Sequence, residues 1–168
     1  MLNLSKIEPV TIKQNHMYLT VHAAAGLVVA QSLSNPFWAF FGGIASHLIL
    51  DFIPHGDEYL IDNKALHWLQ QKKFLGAAII DAIVMAFFIM IYAITTPGLN
   101  WLNVTAALLG AWLPDIMQAV YMVTKVKWLK GYHHWHNHWH NLTGHNLDWK
   151  KGMVVQCMVF TAFWLWLM

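Results

Sequence analysis

The chain has 168 residues, of which 58% are hydrophobic and only 11% charged, and its formal net charge is +2. Ordinary globular domains carry roughly 25% charged residues, so this composition excludes a typical soluble domain and indicates one membrane-embedded domain. All ten basic residues are lysines, which argues against the bidentate arginine contacts of nucleic-acid recognition, and we expect no nucleic-acid partner.

Five apolar segments predict an all-α fold, a polytopic bundle of about five transmembrane helices. The first two, at residues 17–33 and 37–53, are separated by Ser34-Asn35-Pro36, a sequence that breaks helices and favours a tight turn. Both are near the minimum of roughly 17 residues for crossing a bilayer, so we expect a helical hairpin with a minimal loop. The other spans are predicted at residues 74–95, 101–124 and 153–168.

The lysines predict how these spans are oriented. A cytoplasmic N-terminus places residues 1–16, 54–73 and 125–152 on the cytoplasmic side, and these three segments contain every lysine. The two turns on the other side contain none, as the positive-inside rule expects. We therefore predict a multi-pass protein of the cell inner membrane with its N-terminus in the cytoplasm and its C-terminus outside.

The second predicted span contains ionisable residues that lipid would reject. His47 and Asp51 are four residues apart, which places both side chains on one face of a helix. An aspartate in the middle of a transmembrane helix costs about 2.5 to 3.5 kcal/mol on the insertion scale, so it needs a compensating partner. Imidazole and carboxylate groups both ligate divalent cations, and the pair is therefore predicted to bind a metal.

Other ionisable residues lie at a similar depth in their spans. With a rise of about 1.5 Å per residue, His22 and Asp81 lie roughly 9 to 10 Å from the cytoplasmic ends of their helices, and Asp115 lies roughly 13 Å from its own. Together with His55 at the membrane edge, they are expected to gather in the cytoplasmic half of the membrane. Asp81 is expected either as a direct ligand or as a carboxylate that orients a ligand histidine.

A histidine-rich tract at residues 131–141 follows the fourth span and is predicted to form a short cytoplasmic helix. His134 and His138 share one face of such a helix, while His136 and His140 share a face about 200° away. At most one pair can reach the site, and we prefer His134 and His138. An extended tract, in which all four even-numbered histidines would share a side, and an interfacial amphipathic element anchored by tryptophans are the alternatives.

This mixture of imidazoles and carboxylates suits zinc, with manganese or iron as alternatives. The site is predicted to hold one or two metals. A centre with two metals and open positions is the natural interpretation, because the candidates outnumber the four ligands of a structural zinc. The predicted ligands are His22, His47, Asp51, His55, Asp81, Asp115, His134 and His138. Asp51, Asp115 and His138 are the predicted catalytic residues.

Several short motifs resemble those of one membrane protein family. They are Ser46-His47-Leu48-Ile49-Leu50-Asp51 followed by Pro54, Leu113-Pro114-Asp115, the lone His22 of the first helix, and the H-x-x-x-H element. These motifs resemble the membrane-bound metal-dependent hydrolases of the YdjM-like group, which are distantly similar to zinc-dependent phospholipase C. The resemblance implies that His22, His47, Asp51, Asp115 and one pair from the tract form the metal set.

The expected function is hydrolysis of a lipid phosphoester or ester at the cytoplasmic leaflet, with membrane lipid as the partner. A transporter of metal ions or protons would continue its polar residues into the outer half, where the sequence offers Asn103 and Thr105 but no charge. A membrane di-iron oxidase or desaturase would need more histidine clusters than this single tract. A structural protein with a metal clip is the non-enzymatic alternative, and the sequence leaves a homo-oligomer open.

Overall fold

The computed structural model describes residues 17–54, 72–140, 142 and 147–168. The helices are α1 (Leu19–Ser32), α2 (Pro36–Leu50), α3 (Lys72–Thr95), α4 (Trp101–Thr124), α5 (Lys130–His140) and α6 (Trp149–Leu167). A short 3-10 turn, Lys127–Leu129, leads into α5, and no strand occurs within the described ranges. The prediction of an all-α fold is therefore confirmed for this part of the chain.

The helices begin where the sequence supplies capping side chains. α2 starts at Pro36, whose missing amide hydrogen is not needed in a first turn, and the side-chain oxygen of Asn35 accepts a hydrogen bond from the amide of Phe37 at 2.9 Å. Asn100 caps α4 in the same way, by accepting hydrogen bonds from two amides of its first turn. α4 ends at Thr124, and its C-cap Lys125 adopts the left-handed conformation with φ of 53° and turns the chain towards α5.

α1 lies at the centre of the bundle, where it contacts α2, α3, α4 and α6. Its middle turns consist of small residues, among which Ala23, Ala24 and Gly26 are buried. Small side chains let several helices approach one axis closely. As a result α1 carries His22 into the interior of the bundle, where the residue has 0% exposure.

α2 and α4 form the most extensive helix pair and touch backbone to backbone at two glycines. A β-carbon on either Gly43 or Gly110 would overlap a main-chain carbonyl oxygen of the facing helix, so glycine alone allows this approach. The two helices run in the same direction, since residues 43 and 47 face residues 107 and 111. His47 lies one turn after Gly43, and Asp115 lies five residues after Gly110, so the crossing brings these two side chains together.

Within the described residues, two helices are long and apolar enough to cross a bilayer. The segments Leu75–Thr95 and Trp101–Thr124 have mean hydropathies of 2.5 and 1.3. α1 and α2 have 14 and 15 residues and are shorter than the roughly 20 residues of a full crossing. Two of the five predicted spans thus contain a helix of the required length and hydropathy, and the count of five stays a prediction.

Candidate metal centre

The predicted pair on α2 forms the middle of a buried polar cluster. The side chains of His47 and Asp51 both have 0% exposure, and His47 Nε2 lies 3.0 Å from Asp51 Oδ2. Asp51 is the C-cap of α2, so its carboxylate lies at the negative end of the helix dipole, where an anion is unfavourable. A cation bound at this position would offset both the burial and the dipole.

α1 contributes His22 to the cluster. Its Nε2 lies 3.6 Å from Asp51 Oδ1, and neither side chain is exposed. Its ring stacks on that of His47, with centroids 4.0 Å apart and the planes inclined by 20°. The stacking of rings from two helices directs both Nε2 atoms towards the same carboxylate.

α4 contributes Asp115, which follows a proline inside the helix. Its Oδ1 lies 3.8 Å from His47 Nε2, and its side chain is 14% exposed whereas that of His47 is fully buried. Pro114 has no amide hydrogen, so the turn that carries Asp115 lacks one backbone hydrogen bond. The cluster meets the molecular surface at Asp115, which is the most exposed of its described members.

α5 contributes His136 and His140, whose Nε2 atoms lie 3.4 and 3.1 Å from Asp51 Oδ2. These contacts correct the pair of histidines chosen from the sequence. His134 and His138 are exposed on the other side of α5 and do not join the cluster. The catalytic role expected of His138 therefore has no support from its position.

Contacts with other helices set the rotation of α5. The indole Nε1 of Trp139 donates a hydrogen bond to the carbonyl of Leu48 at 2.8 Å, and the hydroxyl of Tyr132 donates one to the carbonyl of Pro114 at 2.9 Å. Burial, and after it the charges of the two clustered aspartates, raise the pKa of the Tyr132 hydroxyl, which therefore stays protonated and remains a donor. The tract repeats H-x-x-x-H on two faces, so nothing inside it decides which pair is buried.

Six side chains thus converge from α1, α2 with its C-cap, α4 and α5. They form three overlapping groups, and within each group the candidate ligand atoms all lie within 4.8 Å of one another. The groups are His22, His47 and Asp51; His47, Asp115 and His136; and Asp51, His136 and His140. Because the groups share members, they describe one continuous site.

The cluster has the spacing of ligands around a cation. In a tetrahedral site with metal–ligand bonds of about 2.0 to 2.1 Å, neighbouring ligand atoms are roughly 3.3 to 3.4 Å apart. The nitrogens around Asp51 lie 3.0 to 3.6 Å from its oxygens. Among the described residues, the Asp51 oxygens, His47 Nε2 and both nitrogens of His136 have no partner in hydrogen-bonding geometry. Buried polar atoms in that state are costly, and a bound cation would satisfy them.

A main-chain carbonyl orients one of these ligands. His47 Nδ1 lies 2.7 Å from the carbonyl oxygen of Ala111 on α4. A carbonyl oxygen can only accept a hydrogen bond, so the Nδ1 atom carries a hydrogen, and in the neutral ring the Nε2 lone pair then points into the cluster. Metal-ligating histidines commonly make such an outer hydrogen bond.

Asp81 and His55 were also predicted as ligands. The Asp81 carboxylate accepts hydrogen bonds from the amides of Leu19 and Thr20 at 2.6 and 3.2 Å, and from the Thr20 hydroxyl at 2.5 Å. It therefore caps the N-terminus of α1 from α3, where the helix dipole favours an anion, and it belongs to none of the three groups. His55 lies outside the described residues.

Two supports of the cluster are not among the site residues predicted from the sequence. The carbonyl of Ala111 carries no signal in a sequence, because any residue has one. Gln118 hydrogen-bonds to α5, and its position three residues after Asp115 in an apolar helix was a usable signal. A buried amide in such a helix needs a partner, and that partner lies on the histidine-rich helix.

Comparison of the chain with protein-family models, with curated proteins and with solved structures finds no match. The function therefore has to be inferred from the chemistry of the cluster. Four imidazoles and two carboxylates in a buried position could hold one divalent cation or more. The partly exposed side chain of Asp115 connects that buried position to the molecular surface.

Proposed function

We propose that this cluster is a divalent metal centre and that the chain is an integral membrane hydrolase that uses it. The observation that carries the proposal is the gathering of four imidazoles around the buried carboxylate of Asp51. Buried charges are retained in proteins when they are paired or coordinate a metal. The imidazoles come from three different helices, and their Nε2 atoms all point at the same carboxylate.

Zinc is the cation that this donor set suits best, with manganese and iron as alternatives. All six donors are imidazole nitrogens or carboxylate oxygens, and the free cysteine, Cys157, is exposed and belongs to none of the three groups. Six ligands exceed the four of a single tetrahedral zinc. Asp51 faces His22 with one oxygen and three histidines with the other, so its carboxylate could be shared if the site held two cations.

The surface of the helices supports placement in a membrane. In the apolar stretch of α3 only 17% of the residues are buried, and Ile80, Phe87 and Ile94 are 64%, 58% and 75% exposed. On α6, Met158 and Leu165 are each 67% exposed. Monomeric soluble proteins rarely expose apolar patches of this extent, whereas lipid tails would cover them.

The direction of the helices is compatible with the predicted topology. α2 and α4 run parallel to each other, as the second and fourth spans of a bundle with alternating spans must do. With every lysine on the cytoplasmic side, the metal centre would lie near the inner surface, because Asp51 ends α2 and α5 follows α4. We therefore propose a multi-pass inner-membrane protein with its N-terminus in the cytoplasm and its C-terminus outside.

We propose hydrolysis of a lipid phosphoester or ester as the reaction. A bound cation of this type lowers the pKa of water to near neutrality and polarises a phosphoryl or acyl oxygen. Asp115 lies where the cluster meets the surface, so it is the member best placed to meet an incoming substrate and to accept a proton. The resemblance to membrane-bound metal-dependent hydrolases supports the reaction class, and a depth near the lipid headgroups supports a lipid substrate.

Metal content and activity test the proposal together. Protein purified in detergent should contain zinc, manganese or iron by elemental analysis and should hydrolyse a chromogenic phosphodiester or ester probe. Asp51→Ala should lose both the metal and the hydrolysis, while His138→Ala, a change at an exposed histidine of the same tract, should keep both. Hydrolysis that persists in metal-free Asp51→Ala protein would refute the proposal that the reaction takes place at this metal centre.

The same preparation distinguishes hydrolysis from transport. A transporter built on these groups would move zinc into proteoliposomes loaded with a zinc-sensitive dye, at a rate that depends on Asp51. The hydrolase proposal expects bound metal and turnover of the probe, and it expects no such flux. Flux without turnover would replace the proposed function with metal transport.

A further inference from the structure

α5 is held against the bundle mainly through polar side chains. Its buried residues are His133, His136 and His140, and its closest helical neighbour is α4. His136 and His140 face the metal cluster, whereas His133 faces α4 and packs on the ring of Tyr121 at 4.3 Å. The described part of α5 therefore buries no aliphatic side chain that would fix its rotation.

The rotation of α5 decides which histidines become ligands. The helix carries two pairs with identical spacing, His134 with His138 and His136 with His140. The two pairs lie about 200° apart around the axis, so a rotation of roughly half a turn would exchange them. The choice between them has to come from outside the tract.

Gln118 on α4 makes contacts that depend on this rotation. It is 1% exposed, and its Oε1 lies 2.9 Å from His133 Nδ1 while its Nε2 donates to Asn137 Oδ1 at 3.0 Å. His133 and Asn137 are one turn apart on α5, so a single amide binds the helix at two successive turns. An amide offers a donor and an acceptor in a fixed arrangement, and the rotation that satisfies both points His136 and His140 at Asp51.

We propose that Gln118 is a positioning residue that selects the His136 and His140 face of α5 as the ligand face, an inference that rests on the proposed metal centre. Gln118 belongs to none of the three ligand groups, so its effect on a cation acts through α5. Groups that hydrogen-bond directly to a ligand commonly change metal affinity by about 10- to 100-fold, and we expect an effect of the same order from a residue that orients the helix carrying two ligands.

A double-mutant cycle tests this role. Zinc affinity is measured by competition with a chromogenic chelator for the wild type, His140→Ala, Gln118→Leu and the double variant, all in detergent. We expect each single change to weaken binding at least about tenfold, and the double variant to bind no more than about twofold more weakly than Gln118→Leu. The reason is that α5 without its two hydrogen bonds to Gln118 no longer presents His140 to the cation. If the two losses of zinc affinity multiply in the double variant, or if Gln118→Leu binds zinc as tightly as the wild type, the proposal is overturned.

A second variant separates positioning from folding. Asn137→Ala removes the half-buried partner of Gln118 on α5. A second cycle that combines it with His140→Ala should show the same non-additive losses of zinc affinity. If Asn137 only stabilised the fold, its substitution would lower the unfolding midpoint of the metal-free protein. Its effect on zinc affinity would then multiply with that of His140→Ala. Multiplicative losses with Asn137→Ala would therefore refute the positioning role even if Gln118→Leu failed to fold. A wild-type protein that binds no zinc would instead refute the metal centre itself, together with any role that depends on it.

Discussion

The imidazole of His47 donates its Nδ1 hydrogen to the main-chain carbonyl of Ala111, across 2.7 Å between two helices. This hydrogen bond fixes the tautomer that leaves Nε2 free to act as a ligand. It forms because two glycines let the backbones of α2 and α4 touch beside it: Gly43, one turn before His47, and Gly110, directly before Ala111. The proposed chemistry of the cluster therefore depends on a packing feature that contains no polar side chain.

The two faces of α5 should respond differently to mutation. His140→Ala removes a nitrogen that lies 3.1 Å from Asp51 Oδ2, so we expect zinc affinity to fall at least about tenfold. His138→Ala changes an exposed histidine two residues away and should leave the affinity within about twofold. Chelator competition on both purified variants measures the difference. A greater loss in His138→Ala than in His140→Ala would contradict the rotation of α5 seen here.

Asp81 should matter for stability and leave metal content unchanged. Asp81→Ala removes the acceptor for the first amides of α1, and loss of such a cap costs about 1 to 2 kcal/mol. We expect a lower midpoint of thermal unfolding in detergent, with the same amount of bound metal per chain as in the wild type. The reverse result, in which the metal is lost and the midpoint is unchanged, would return Asp81 to the ligand set.

The glycine contact between α2 and α4 should not tolerate a methyl group. In Gly43→Ala and Gly110→Ala the new β-carbon overlaps a carbonyl oxygen, so the helices must separate, and overpacking of this kind costs about 1 to 3 kcal/mol. Both variants should unfold at lower temperature and bind zinc more weakly. Gly76→Ala is the matched control, because nothing lies within 4 Å of its β-carbon, and alanine should stabilise α3 by up to about 1 kcal/mol. Equal stability of all three variants would argue against the close contact.

Metal affinity should fall as the pH is lowered. An imidazole ligates a cation only when it is neutral, so protons compete with the metal for the ligand nitrogens. Affinity is therefore greatest at alkaline pH and is lost as the pH falls and the imidazoles take up protons. Because several imidazoles converge, the zinc association constant should drop by more than about tenfold per pH unit on the acid side. An affinity that is constant between pH 7 and pH 5 would exclude histidine ligands.

Much of the cluster follows from local spacing in the sequence. The four-residue separation of His47 and Asp51 places both on one face of a helix, and burial of His22 and Asp115 in apolar helices makes each a candidate to join them. The hairpin turn was equally readable, because Asn35 and Pro36 have the chemistry of a helix start. These inferences depend on short-range geometry, which a sequence contains.

The remaining features depend on contacts between distant segments. His134 with His138 and His136 with His140 have the same spacing, and the choice between them is made by contacts with other helices, namely the side chain of Gln118 and the main-chain carbonyl of Leu48. Asp81 looked like a buried ligand because it lies in an apolar helix, but the amides that it caps belong to a segment about sixty residues earlier. Neither outcome can be read from local periodicity.

X-ray absorption at the metal edge of the purified protein would identify the ligand atoms of the proposed cation. We expect a shell of nitrogen and oxygen atoms at about 2.0 to 2.1 Å, with the scattering pattern of several imidazoles, and loss of that shell in Asp51→Ala. Protein that retains no cation after reloading with zinc, manganese or iron would refute the metal centre. So would a shell that contains sulfur, because Cys157, the one cysteine of the chain, is exposed and belongs to none of the ligand groups.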